Sequence, residues 1–126
     1  MLAVDTNVLV RLIARDDSAQ VVRAEQFVKK GAWVSHLALA EMVWALDAVY
    51  ERNADEIAIA IELLLNHADL SLQDPDVVEA ALGTFRRRPS LGFSDCLLLE
   101  IARRAGHLPL GTFDRELGKL DGAQRL

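Results

Sequence analysis

The sequence predicts an α/β fold around a short, mainly parallel sheet, and two observations carry that prediction. Short apolar runs of strand length recur along the chain, as at residues 1–4, 32–35 and Leu70–Leu72. Between them lie longer stretches whose apolar residues repeat at helical spacing, bounded by capping residues, glycines or proline. Strands separated by whole helices are joined by crossovers, which gives a parallel sheet covered on both faces. With 126 residues the chain has the size of one domain, taken as 1–126, and enough length for a real core.

Taken in order, a first short strand ends over residues 3–5. Val8, Leu9, Leu12 and Ile13 then form the apolar stripe of a helix over residues 7–14. Asp17 or Ser18 caps a second helix reaching about Lys30, with Gly31 as its stop. Residues 32–35 read as a strand, and Ser35 caps a helix that carries Glu41, Trp44 and Leu46. Asn53 caps a fourth helix from Ala54 to about His67, with Ile57, Ile61, Leu64 and Leu65 facing the core. After a strand at Leu70–Leu72, Asp74-Pro75 is a strong helix start, and that helix runs to Arg86-Arg87-Arg88, where Pro89 ends it. Ser94 begins the next helix and Gly106 closes it. Residues 108–112 form a strand, 115–120 a short helix and 123–126 a last strand. The chain shows no repeat, linker or low-complexity segment.

Composition narrows the function classes. The chain is 52% hydrophobic and 26% charged, a globular balance, and its longest apolar runs fall far short of the ~20 residues a membrane span needs. No basic-then-apolar leader precedes Asp5, so secretion is not expected. The single Cys96 excludes an internal disulfide and a thiolate zinc site, and fits a reducing, cytoplasmic setting. A net charge of −5 argues against a generic nucleic-acid coat protein. The charges are uneven, however. Arg86-Arg87-Arg88, Arg103-Arg104, Arg11 with Arg15, and Lys29-Lys30 are basic spots, which serve either as solvated helix ends or as contacts for an RNA backbone.

Asp5, Glu41, Asp95 and Asp114 are the candidate functional side chains. Asp5 closes Met1-Leu2-Ala3-Val4, Glu41 is the only charge between Leu37 and Leu46, Asp95 heads an apolar helix, and Asp114 follows Leu108-Pro-Leu-Gly-Thr-Phe113. Each has a plain structural alternative. Asp5 and Asp114 can cap the helices that follow them, Asp95 can serve a helix dipole, and Glu41 can be an exposed helix former. In parallel α/β sheets, functional groups gather beyond the carboxyl ends of the strands, where these acids fall. Four carboxylates gathered there repel one another unless a divalent cation neutralises them, which reads as an oxygen-ligand site for Mg²⁺ or Mn²⁺ able to activate water against a phosphodiester.

Asp5-Thr6-Asn7-Val8-Leu9, the Glu41 helix, Phe93-Ser94-Asp95 and Thr112-Phe113-Asp114 together resemble the PIN domain, in its VapC-type toxin branch. The resemblance spans nearly the whole chain, and it is the set of motifs in this order, rather than any one of them, that is specific. It implies a three-layer α/β/α endoribonuclease with a Mg²⁺ or Mn²⁺ cofactor, the toxin of a type II toxin–antitoxin pair. It further implies a homodimer inhibited by a cognate antitoxin, acting on RNA and leaving a 5′-phosphate and a 3′-hydroxyl. By position, Asp5, Glu41 and Asp95 are the main metal-binding acids, and Asp114 is the fourth, directly or through water. Thr6 and Asn7, with Thr112, are placed to support the site by hydrogen bonding. Ser94 departs from the small apolar residue common before the third acid. Arg15, Arg86, Arg87 and Arg88 are candidates for RNA contact.

The other chemistry-bearing residues read as structural. His36, His67 and His107 are scattered without metal-ligand spacing, Cys96 is a core thiol, Glu116 is solvated, and Trp33 and Trp44 belong to the core or a dimer interface. A haloacid-dehalogenase-type phosphatase requires an Asp where this chain has Asn7. A response-regulator receiver requires a lysine ending a late strand, which is absent. The remaining competitor is a catalytically inactive PIN-like module that acts only through protein binding.

Overall fold

The computed structural model describes residues 1–126, which divide into two compact units, Met1–Pro75 and Asp76–Leu126. The chain is α/β with short parallel sheets, as its alternating pattern predicts.

In the first unit, β1 (Leu2–Ala3), β2 (Ala32–Val34) and β3 (Leu70–Leu72) form a parallel sheet in the order β1-β2-β3. Ala3 is level with Trp33, and Trp33 with Ser71. The ladder runs past its formal ends, since Val4 N–H donates to the Trp33 carbonyl at 3.2 Å and Gln73 N–H to the Val34 carbonyl at 2.8 Å. Ala32, Val34, Leu70 and Leu72 point to a buried face. Both crossovers step in the same direction, so right-handed connections place their helices on one face.

Those helices are α1 (Thr6–Ala14), α2 (Ser18–Val28), α3 (His36–Ala48) and α4 (Ala54–Leu65). α1 packs on α2 and α3, and α4 packs on β3. Leu9, Val10, Val21, Ala24, Val28, Leu39, Met42, Leu46, Ile57, Ile61 and Leu64 are buried and build the core. Their starts are capped where the sequence places caps. Asp17 accepts from Gln20 N–H at 3.1 Å, Ser35 from Ala38 N–H at 3.0 Å, and Asn53 forms a reciprocal capping box with Glu56. Two helices end earlier than their apolar patterns suggest, at Val28 and at Leu65. Leu65 accordingly is only half-buried.

The second unit holds most of α5 (Pro75–Arg87), then a 3₁₀ turn (Pro89–Leu91), α6 (Phe93–Ala105), and the parallel pair β4 (Leu110–Thr112) and β5 (Ala123–Arg125). Val78, Ala81, Phe85, Phe93, Cys96 and Leu97 are buried. Phe85 and Phe93 meet edge to face, with centroids 6.1 Å apart at 79°. Gly106 takes φ +83° at the α6 C-cap, the left-handed turn that glycine adopts without strain.

Two further expectations change. The helix predicted over residues 115–120 is only a 3₁₀ turn, Leu117–Lys119. Asp114 Oδ1 accepts from Leu117 N–H at 2.8 Å, and Gly118 lies so close under β5 that a Cβ there would meet Arg125 Cβ at 2.7 Å. A helix continuing through this point would need room that β5 occupies. Of the two places expected for the tryptophans, the core is ruled out, with Trp33 39% and Trp44 66% exposed. On α3 the inward positions are taken by Ala38, Leu39, Met42, Val43 and Leu46, which leaves Leu37, Glu41 and Trp44 on the outward stripe.

Replacing Asn53 by alanine removes one acceptor of the capping box. The expected cost is about 1 kcal/mol of stability, read as a fall in Tm of roughly 4 °C in a thermal melt.

Candidate active site

In the first unit, two of the four acids bond to one residue, Thr6, Asp5 through its backbone N–H and Glu41 through its hydroxyl. Asp5 follows β1 and caps α1, accepting from Thr6 N–H at 2.6 Å. Thr6 Oγ1 in turn donates to Glu41 Oε2 at 3.2 Å. The sheet accounts for this neighbourhood. β1 and β2 are adjacent and parallel, so α1 and α3 start side by side at the carboxyl edge. A third strand fixes the start of α3, because Gln73, just past β3, accepts from His36 N–H at 2.9 Å and its carbonyl contacts His36 Nε2 at 2.8 Å. Asp5 therefore does cap a helix, and it also stands within one residue of the Thr6–Glu41 bond.

The second unit holds the other pair. Asp95 sits in the first turn of α6, an acid at the positive end of the helix dipole, and is partly buried. The Phe85–Phe93 contact and the buried Cys96 and Leu97 anchor that turn. Asp114 lies beyond β4, where its N–H donates to Thr112 Oγ1 at 3.0 Å and its carboxylate takes the Leu117 N–H. Thr112 is thus a hydrogen-bond partner of the Asp114 backbone. Burial pushes the Asp95 carboxyl above the usual aspartate range, and the charge of Asp114 pushes it further in the same direction.

The donor set in both units is carboxylate oxygen, which suits a hard divalent cation such as Mg²⁺ or Mn²⁺. Within neither unit does a group of three or more His, Cys, Asp or Glu side chains gather as a metal shell; each unit supplies two of the four acids. Asn7 makes no hydrogen bond to these acids and instead lines a cavity between α1 and α2.

The remaining candidates have local partners. His36 is held by Gln73, His67 Nδ1 accepts from Asp69 N–H at 3.1 Å, and His107 is exposed. Burial, with the Asp95 charge second, pushes the Cys96 thiol up to about 11. Glu116 pairs with Lys119 at 3.2 Å. Arg15 pairs with Glu25 at 2.8 Å, and Arg87 reaches Thr84. Arg86, Arg87 and Arg88 are all exposed. Phe113, beside Asp114, is 82% exposed.

Fold and acids together define an α/β protein with carboxylates set at strand and helix ends. A family model described as the PIN domain matches residues 2–123, and the chain belongs to that family. PIN domains are generally nucleases and usually use divalent metal ions. No curated protein matches this sequence. No helix is long and apolar enough to cross a membrane.

Two outcomes follow from the perturbed groups. Asp95 has a folded pKa above its unfolded value, so its ionisation opposes folding once pH passes the unfolded value of 3.8. In EDTA, Asp95→Asn should raise Tm at neutral pH, and the gain should vanish below that unfolded value, where both forms are neutral. Cys96 should react with a thiol reagent at neutral pH only as fast as the protein opens, and at once in denaturant.

Proposed function

We propose that the chain is a metal-dependent endoribonuclease, a single PIN nuclease domain over residues 1–126, in which Asp5, Glu41, Asp95 and Asp114 hold Mg²⁺ or Mn²⁺. We further propose a VapC-type toxin of a type II toxin–antitoxin pair, a cytoplasmic homodimer silenced by a cognate antitoxin. The observation that carries the nuclease reading is the Asp95–Asp114 pair. The Asp114 charge adds to burial in opposing ionisation of Asp95, and Asp114 follows a strand end, as Asp5 does. Repulsion of this kind lowers stability and is removed by a bound cation.

The chain's own groups have distinct parts. Thr6 Oγ1 fixes the Glu41 carboxylate by donating to it, and the Leu117 N–H fixes Asp114. The α1 cap restrains Asp5, and the packed first turn of α6 restrains Asp95. When bound, a divalent cation supplies charge neutralisation at the phosphate and lowers the pKa of an attacking water. Arg15 and Arg86 to Arg88 are the proposed contacts for flanking RNA phosphates, with Arg15 exchanging Glu25 for RNA.

The protein-partner part of the reading is supported by exposed apolar side chains on helices, Leu37 and Trp44 on α3 and Ile59 and Leu63 on α4. The same side chains favour a second reading, a catalytically inactive module that works only by binding protein. Incubation of purified protein with total RNA in Mg²⁺, Mn²⁺ or EDTA separates the two. The nuclease reading expects cutting at discrete positions with metal only, reduced at least ~100-fold in Asp5→Asn and in Asp95→Asn. Indistinguishable RNA in every lane would leave the binding module as the better account.

A further inference from the structure

We propose that the cleft between α1 and α2 is a nucleotide pocket that holds one base and its phosphate of single-stranded RNA, beside Asp5. This assignment rests on the nuclease reading for its substrate class, but on different residues. The cavity is about 480 Å³, within the roughly 300–1,000 Å³ of small-molecule sites. Its polar and aromatic lining is Asn7 and Arg11 from α1 and Gln20, Arg23 and Phe27 from α2. Gln20, Arg23 and Phe27 recur at i, i+3 and i+7, so one face of α2 forms a wall of the cleft.

The lining has the three components that a nucleotide needs. Phe27 is 42% exposed, a ring on which an unstacked base can lie. Arg23 is exposed and has no carboxylate partner, which suits a phosphate. Arg11 is pre-set rather than mobile. Its Nε donates to Gln20 Oε1, and its Nη1 donates to Asp16 at 3.3 Å and to the Tyr50 hydroxyl at 3.1 Å. Tyr50 also donates to Asp16 at 2.9 Å, which locks the bracket behind the cleft. Arg11 Nη2 and the Gln20 amide N–H groups are left to donate to acceptor atoms on a base edge.

Two features favour RNA over an acidic peptide. No carboxylate lines the cleft, and Arg23, unlike the Asp16-paired Arg11, has no acidic partner, so the cleft attracts anions of either kind. The ring and the two side-chain amides, however, match a base face and a base edge, which a peptide carboxylate does not present. The position also fits, because Asn7 lies two residues beyond Asp5 on the same helix start.

The test is fluorescence anisotropy of a short fluorescein-labelled single-stranded RNA, in EDTA so that no cleavage intervenes. Arg23→Gln and Phe27→Leu, both at exposed positions, should each weaken binding about tenfold. Arg23→Gln should also lower the slope of log affinity against log salt by about 0.7, one phosphate contact on a single strand. Phe27→Trp should bind at least as tightly as wild type and show indole quenching beyond that of the native tryptophans. Equal binding by all forms, or no binding by wild type, overturns the pocket. So does poly-glutamate that competes as well as unlabelled RNA, which would reveal a general anion or peptide surface. Cleavage with Mg²⁺ keeps this apart from the nuclease reading. Full cleavage rates in Arg23→Gln and Phe27→Leu sink the pocket alone, whereas variant-sensitive binding with no cleavage in any cation leaves the pocket and sinks the nuclease.

Discussion

The parallel pairing of β1 with β2 is the constraint on which the first unit depends. With Ala3 level with Trp33, the chain leaves both strands at the same edge, and two helices must start there together. A helix start leaves N–H groups without partners, and short polar side chains satisfy them. Asp5 and Ser35 do so here, and the proximity that results lets Thr6 reach Glu41 across 35 positions of sequence. A one-residue slip of β2 would turn Trp33 inward in place of Ala32 and Val34, and would break this bond. The carboxylate pair is thus a consequence of strand geometry. It needs no dedicated loop.

The second unit reaches a similar result by packing. Phe85, Phe93, Cys96 and Leu97 fix the first turn of α6, and Asp95 is carried on that turn. Gly118 lets the turn after Asp114 lie against β5, which settles where the Asp114 carboxylate is held. Both acids have a structural justification, as a first-turn acid and as a turn cap. Neither justification explains why they stand near enough to raise the Asp95 pKa. An acid whose ionisation is opposed by burial and by a second acid is the pattern that a cation-binding function predicts.

Much of this was legible in the sequence where one local rule decides the outcome. The caps Asp17, Ser35 and Asn53, the strand Leu70–Leu72 and the stop at Gly106 follow from side-chain chemistry within a few residues. Asp5, Glu41, Asp95 and Asp114 stand out because each ends, heads or interrupts an apolar run, whereas the Thr6 to Glu41 hydrogen bond joins residues 35 positions apart. Long-range packing hides the rest. The turn at Leu117–Lys119 depends on β5 lying over Gly118, and the outward position of Trp44 depends on which stripe of α3 meets α1. The α1–α2 cleft depends on a tertiary contact, so the i, i+3, i+7 spacing of Gln20, Arg23 and Phe27 reads in the sequence as an ordinary solvated face.

The most direct test of the central claim, that these carboxylates hold a divalent cation, is a Mn²⁺ titration followed by the electron paramagnetic resonance signal of the free ion. Wild type should take up Mn²⁺ saturably in competition with Mg²⁺, and Asp5→Asn and Asp95→Asn should each weaken that uptake sharply while the fold persists. Uptake that is absent in wild type, or unchanged in both variants, would contradict the account and return these acids to the capping and dipole roles their positions also satisfy.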